Sequence, residues 1–165
     1  MTSSNLHKQH KMGLVESFKA TVTSFEDNLK SISDGSTIIA GTNDKPIIST
    51  HTSLPIKHLF MDGVYIREMT MYKDTIVSGA IHKHLHMSFL LTGRVTVVCE
   101  EGVIEHIAPC TIVAQPGTKR VIYSHEDTIW YTVHKNPSNT EDLDQLEKEI
   151  VAVSYKEYEE YIKNK

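Results

Sequence analysis

Between residues 64 and 134 the chain reads as one short β-like segment after another. The segments are VYIREMTMY, TIVSGAIHKHLH, MSFLLTG, RVTVVCEEG, VIEHIAP, TIVAQPG, RVIYS and TIWYTVH. Val, Ile, Thr and Tyr dominate them, and these side chains fit a pleated sheet better than a helix. Gly63, Gly79, Gly93, Gly102, Pro109 and Pro116-Gly117 punctuate the series. Short strands at even spacing, divided by turn residues, predict an antiparallel sandwich or barrel.

Helical periodicity flanks this region on both sides. Leu14, Phe18, Val22, Phe25, Leu29 and Ile32 recur at steps of three or four, and Asp34-Gly35 ends the stripe. Turn-forming residues then prevail up to residue 63, with Ile47-Ile48 and Leu59-Phe60-Met61 as candidate edge strands. After Asn136-Pro137, Thr140 reads as a helix N-cap, followed by Leu143, Leu146, Ile150 and Val153. Tyr155, Tyr158 and Ile162 continue that stripe. The expected organisation is a helical segment over 1–35, an irregular linker over 36–63, a barrel over 64–135 and an acidic C-terminal helix over 136–165. Short amphipathic helices need a surface on which to bury their stripes. In TIWYTVH neither face is fully polar. Both features predict a homo-oligomer.

The formal charge is −4, from 17 basic and 21 acidic residues, so no basic surplus points to nucleic acid. No apolar run approaches the roughly 18 residues that a membrane helix needs, and no apolar stretch follows the lysines of MTSSNLHKQHKMG as in a secretory signal. Cys99 and Cys110 lack C-x-x-C spacing, which fits a reducing cytosol.

Histidine is the unusual residue, with ten in the chain and three within five positions. In an extended strand His82, His84 and His86 would share one face with Ser88, while Leu85, Met87, Phe89 and Leu91 take the other. Two readings follow: a pocket lined by imidazoles, or a polar strand facing solvent. Neutral imidazole ligates zinc, nickel, iron and copper well.

The chain resembles the cupins over residues 79–134. The first cupin motif runs G-x5-H-x-H, three or four residues, Glu, six residues, Gly. Gly93 matches its closing glycine and His82 its second histidine, while Ala80 takes the place of the first and His86 that of the glutamate. In the second motif, G-x5-P-x-G-x2-H-x3-N, Pro116-Gly117 stands near the turn, Arg120 replaces the histidine and Ser124 the asparagine. The order IHKHLH, LTGRVTVV, APCTIVAQPGTKR and EDTIWYTVHKN, ahead of an acidic helix, is more closely similar to small cupin-like proteins of tailed phages.

The resemblance implies a mainly β fold, a cupin-like antiparallel β-barrel of jelly-roll type with an amphipathic helix at each end. It also implies a metal site. Cupin ligands are usually three histidines and a carboxylate, yet no Asp or Glu lies between residues 75 and 99, and the cation Arg120 has no lone pair to offer. His82 and His86 map to ligand positions, and His84 and His134 are candidates to complete an all-histidine set for zinc, nickel, iron or copper. Arg120 pointing inward needs an anion, either a ligand carboxylate or phosphate or an internal partner such as Glu126 or Asp127. Trp130, Ser88 and Arg120 are the candidate ligand-binding residues, with Trp130 as pocket floor or core, and Glu126 is a candidate proton carrier. The expected function is a small-molecule or transition-metal binding protein, or a metal-dependent enzyme. The alternative is a non-catalytic assembly component of a phage particle, contacting phage structural proteins. The expected location is cytoplasmic: host cytoplasm, or the virion for a phage-encoded chain.

Overall fold

The computed structural model describes residues 3–39 and 50–165. The candidate strand at Ile47-Ile48 lies outside them. A long helix α1 (Ser3–Ser31) precedes ten strands: β1 (Ile56–Met61), β2 (Val64–Met71), β3 (Ile76–Ser78), β4 (Ile81–His82), β5 (His86–Thr92), β6 (Arg94–Cys99), β7 (Gly102–Ile107), β8 (Cys110–Ala114), β9 (Val121–Ser124) and β10 (Thr128–Lys135). Helix α2 (Leu143–Ile150), strand β11 (Val151–Ala152) and helix α3 (Tyr155–Lys163) follow.

Every strand pairing is antiparallel. A five-stranded sheet runs β1-β2-β10-β5-β8, a four-stranded sheet runs β3-β9-β6-β7, and β4 pairs with β11. The protein is therefore mainly β with helices at both ends, as the segment pattern predicted. β1 carries the Leu59-Phe60-Met61 triplet and lies at a sheet edge.

Alternation explains how the sheets face each other. Met69, Met71, Leu90 and Trp130 of the larger sheet meet Val95, Val97 and Ile122 of the smaller one in a single buried cluster. Trp130 lies opposite Met69 on one side and Leu90 on the other. Val97 lies opposite Ile122. Tyr65 forms a second cluster with Leu146, Ile150 and Val151, which seats α2 against the sheet.

Three sequence expectations are corrected. IHKHLH is not one strand: β4 ends at His82 and β5 begins at His86. Lys83 draws the intervening residues toward the C-terminal segment, its N–H donating to the Ile150 carbonyl at 2.8 Å and its ammonium to the Lys148 carbonyl at 2.6 Å. The C-terminal helix is also broken, because Val151 and Ala152 pair with Ile81 and His82. Ser154 caps the new helix start by accepting from the Glu157 N–H at 3.2 Å. Asp142, rather than Thr140, caps α2, accepting from the Asp144 and Gln145 N–H groups. Val153 ends up exposed.

In α1 only the middle of the apolar stripe is covered. Val22 is buried, while Leu14 and Ile32 are exposed. The helix is tied to the sheets by polar contacts: Glu26 accepts from Ser78 Oγ at 2.6 Å and from Lys119 Nζ at 2.7 Å.

Gly93 joins the two sheets at a point where a side chain has no room. Its φ is +85°, and a Cβ there would stand 2.4 Å from Thr128 Oγ1 and 2.7 Å from the Asp127 carbonyl. Gly93→Ala should cost about 1–3 kcal/mol through strain at this left-handed position. A fall in the urea midpoint with an unchanged slope checks it.

Candidate functional site

Three histidines from three strands converge inside the protein. His82 ends β4, His86 starts β5, and His134 lies near the end of β10. Val133 pairs with Met87, so one further step along the antiparallel register sets His134 beside His86. Ring centroids are 4.2 Å apart for His82–His86, 4.5 Å for His86–His134 and 4.6 Å for His82–His134. One ring nitrogen of each lies within 4.8 Å of the others. The turn at residues 83–85, rather than alternation along a strand, brings His82 back beside His86.

The environment keeps these rings neutral. Burial pushes the His86 pKa down to about 4, helped by the nearby Arg120 cation. Burial and the adjacent His86 and His84 imidazoles lower that of His134 to about 2. His82 is likewise held well below its usual value by burial, then by His134 and His86. At neutral pH the cluster therefore offers lone pairs rather than positive charge. His134 Nδ1 is a buried ring nitrogen without a hydrogen-bond partner. The Tyr65 ring stacks on His134 at 5.9 Å, and the Tyr65 hydroxyl hydrogen-bonds His58 Nδ1 at 2.7 Å. This stack steadies the imidazole plane.

His84 occupies the turn and stands outside the group of three. Its ring meets His134 edge-on at 5.8 Å, and its Nε2 is buried without a hydrogen-bond partner. Ser88 is fully buried and its Oγ is also unpartnered. Trp130 belongs to the core cluster and also walls the cavity. The cavity measures about 600 Å³, and His82, His86, Ser88, Arg120, Trp130 and Thr132 are among its lining residues.

Neither proposed internal partner reaches Arg120. Glu126 pairs with Arg94 at 3.6 Å, and Asp127 accepts the Lys73 N–H at 2.9 Å. Glu126 is more than half exposed and lies away from the cavity lining, which removes it as a proton carrier there.

Two wall features escaped the sequence reading. Arg67 and Met69 line the cavity from β2, and their alternation with Tyr65 was the available signal. Lys119 is buried against Glu26 of α1, and nothing local in sequence pairs residues so far apart.

No protein-family profile and no curated protein matches the sequence. Among solved structures, the chain is similar to a cupin 2 conserved barrel domain protein from Salinispora arenicola, at 13% identity and TM-score 0.47, over 67% of this chain and 96% of that one. A cupin superfamily protein from Desulfitobacterium hafniense is similar at 10% identity and TM-score 0.46, over 59% and 95% of the two chains. Ectoine synthase from P. lautus is similar at 12% identity and TM-score 0.46, over 53% of this chain and 66% of that enzyme. None of the three is described as a phage protein. Two of these three solved structures are described as cupin proteins.

Proposed function

We propose that this chain is a cupin-fold small-molecule binding protein that holds a divalent transition metal on His82, His86 and His134. The observation that carries this reading is the trio of neutral ring nitrogens within 4.8 Å of one another, beside a cavity of about 600 Å³. An all-imidazole donor set suits zinc, nickel, copper or iron and is a poor match for magnesium or calcium. The unpartnered His134 Nδ1 fits the same reading, since buried ring nitrogens otherwise find a hydrogen-bond partner.

When bound, such an ion supplies Lewis acidity toward an oxygen of a cavity ligand. The chain's own residues divide the remaining work. Tyr65 fixes the plane of His134 by stacking, Ser88 and Thr132 present hydroxyls, and Trp130 supplies an apolar wall. As an enzyme, the protein would act on a small polar substrate in this cavity.

Elemental analysis of protein purified without a histidine tag tests the proposal. The expected result is close to one equivalent of a transition metal. Less than about a tenth of an equivalent, with no zinc taken up after chelator treatment, would overturn it.

We further propose that a second copy of the chain covers the outer face of the five-stranded sheet. Met87 and Val113 are direct cross-strand neighbours there, at 39% and 53% exposure, and Leu91 adds 49%. A lone surface residue needs no explanation, but a contiguous apolar patch marks an interface. Light scattering at micromolar concentration should give the dimer mass, and Met87→Glu should return the monomer. A monomeric parent protein counts against the interface.

A further inference from the structure

We infer that the cavity is built to take a small ligand carrying a carboxylate, clasped by Arg120 and Ser88 beside the histidine cluster. The inference rests on the proposed small-molecule reading and names the class of molecule. Arg120 sits just before β9, in the alternation that turns Ile122 and Ser124 into the protein. It lines the cavity that His86, Ser88 and Trp130 also line. Among the described residues its guanidinium makes no ion pair within 4.0 Å and no hydrogen bond. Glu101 and Glu100 attract it electrostatically without an ion pair: Oε1 of Glu100 accepts from the Tyr155 hydroxyl at 2.7 Å and from the Lys119 N–H at 3.3 Å. Glu101 is exposed.

A half-buried guanidinium without an anion is costly to maintain, and its fork matches a carboxylate through two parallel N–H donors. Ser88 supplies the second, independent sign. Its hydroxyl is 0% exposed and has no partner, so it too awaits a polar atom in the cavity.

The flat two-oxygen edge of a carboxylate matches a single guanidinium fork. Lys119 is paired with Glu26 at 2.7 Å. Arg67 feels the carboxylate of Glu147. With Lys119 so occupied, the guanidinium fork of Arg120, which lines the cavity with Ser88, is filled by the two oxygens of one carboxylate. Met69, Ile122 and Trp130 form apolar walls for the rest of the ligand.

Calorimetric titration of the zinc-loaded and chelator-treated protein with acetate, malonate, benzoate and inorganic phosphate tests this. At least one carboxylate should bind, more tightly than phosphate. Arg120→Gln should weaken it roughly 10- to 100-fold, the loss expected for one charge-assisted pair. Arg120→Lys, which keeps charge and bulk but not the fork, should fall between Gln and wild type. Ser88→Ala should weaken the same probe while zinc stoichiometry stays unchanged. Carboxylate binding that survives Arg120→Gln at full strength, a preference for phosphate, or no carboxylate bound in either form overturns the inference. Arginine-dependent binding in the chelator-treated protein, without zinc uptake, upholds it and discards the metal from the proposed function instead.

Discussion

Replacing His134 by alanine should weaken zinc binding by more than about 100-fold, because one of three ligands is lost outright. The same change at His86 should do likewise, whereas His84→Ala should change affinity by less than about threefold. The contrast follows from position. His86 and His134 approach each other at 4.5 Å and form one cluster with His82, while His84 meets only the edge of the His134 ring, at 5.8 Å. The His134→Ala fold should survive, since the removed Nδ1 has no hydrogen-bond partner to abandon. Its cost is the void left beside Tyr65. Zinc titration against a competing chelator, with circular dichroism on each variant, makes the comparison. Equal losses for His84→Ala and His134→Ala would put His84 into the ligand set and refute the three-histidine assignment.

The chain wrote its strands legibly and its site only in part. Each segment from VYIREMTMY to TIWYTVH corresponds to strand structure, because β-branched runs and glycine breaks are local signals. Strand parity in TIWYTVH also placed Trp130, Thr132 and His134 on one face, the face that turns inward. The meeting of His82 and His86 was anticipated for an incomplete reason. Alternation was the expected cause, but the cause is a turn held by Lys83, whose partners lie on Lys148, Ile150 and Glu157. Such partners are invisible to any window of neighbouring residues. The same non-locality hid the break in the C-terminal helix. Leu146, Ile150 and Val153 keep a helical period, yet Val151 and Ala152 gain more by pairing with β4 than by continuing α2. Arg120 shows the opposite case. A single substituted motif position was readable, because a buried cation raises the question of its partner wherever it stands.

Acid should unfold the metal-free protein well before its carboxylates titrate. The folded-state pKa of His86 lies at about 4, against an ordinary value of 6.5, and those of His82 and His134 are lowered as well. A group with a depressed folded pKa stays unprotonated in the native state while the unfolded chain takes up the proton. Between these two values the unfolded state binds more protons, so stability rises with pH and is lost as pH falls. The loss begins near the ordinary histidine value and continues down to the folded one. For His86 alone it amounts to about 3 kcal/mol by linkage, and the coupled rings add to it. Glu68, whose pKa is lowered by its hydrogen bonds from Lys57 and Tyr131, adds a loss only below the usual carboxylate range. The window from about pH 6.5 to 5 thus reports on the histidines. Urea unfolding of chelator-treated protein across that window should show a midpoint falling steadily with pH. His86→Gln, which removes one titrating ring, should flatten the dependence. Zinc-loaded protein should start more stable and lose that excess over the same window, because protons taken up by released imidazoles compete with the ion. A midpoint that does not move in either form would mean that the three rings meet water freely, and the buried cluster would have to be abandoned.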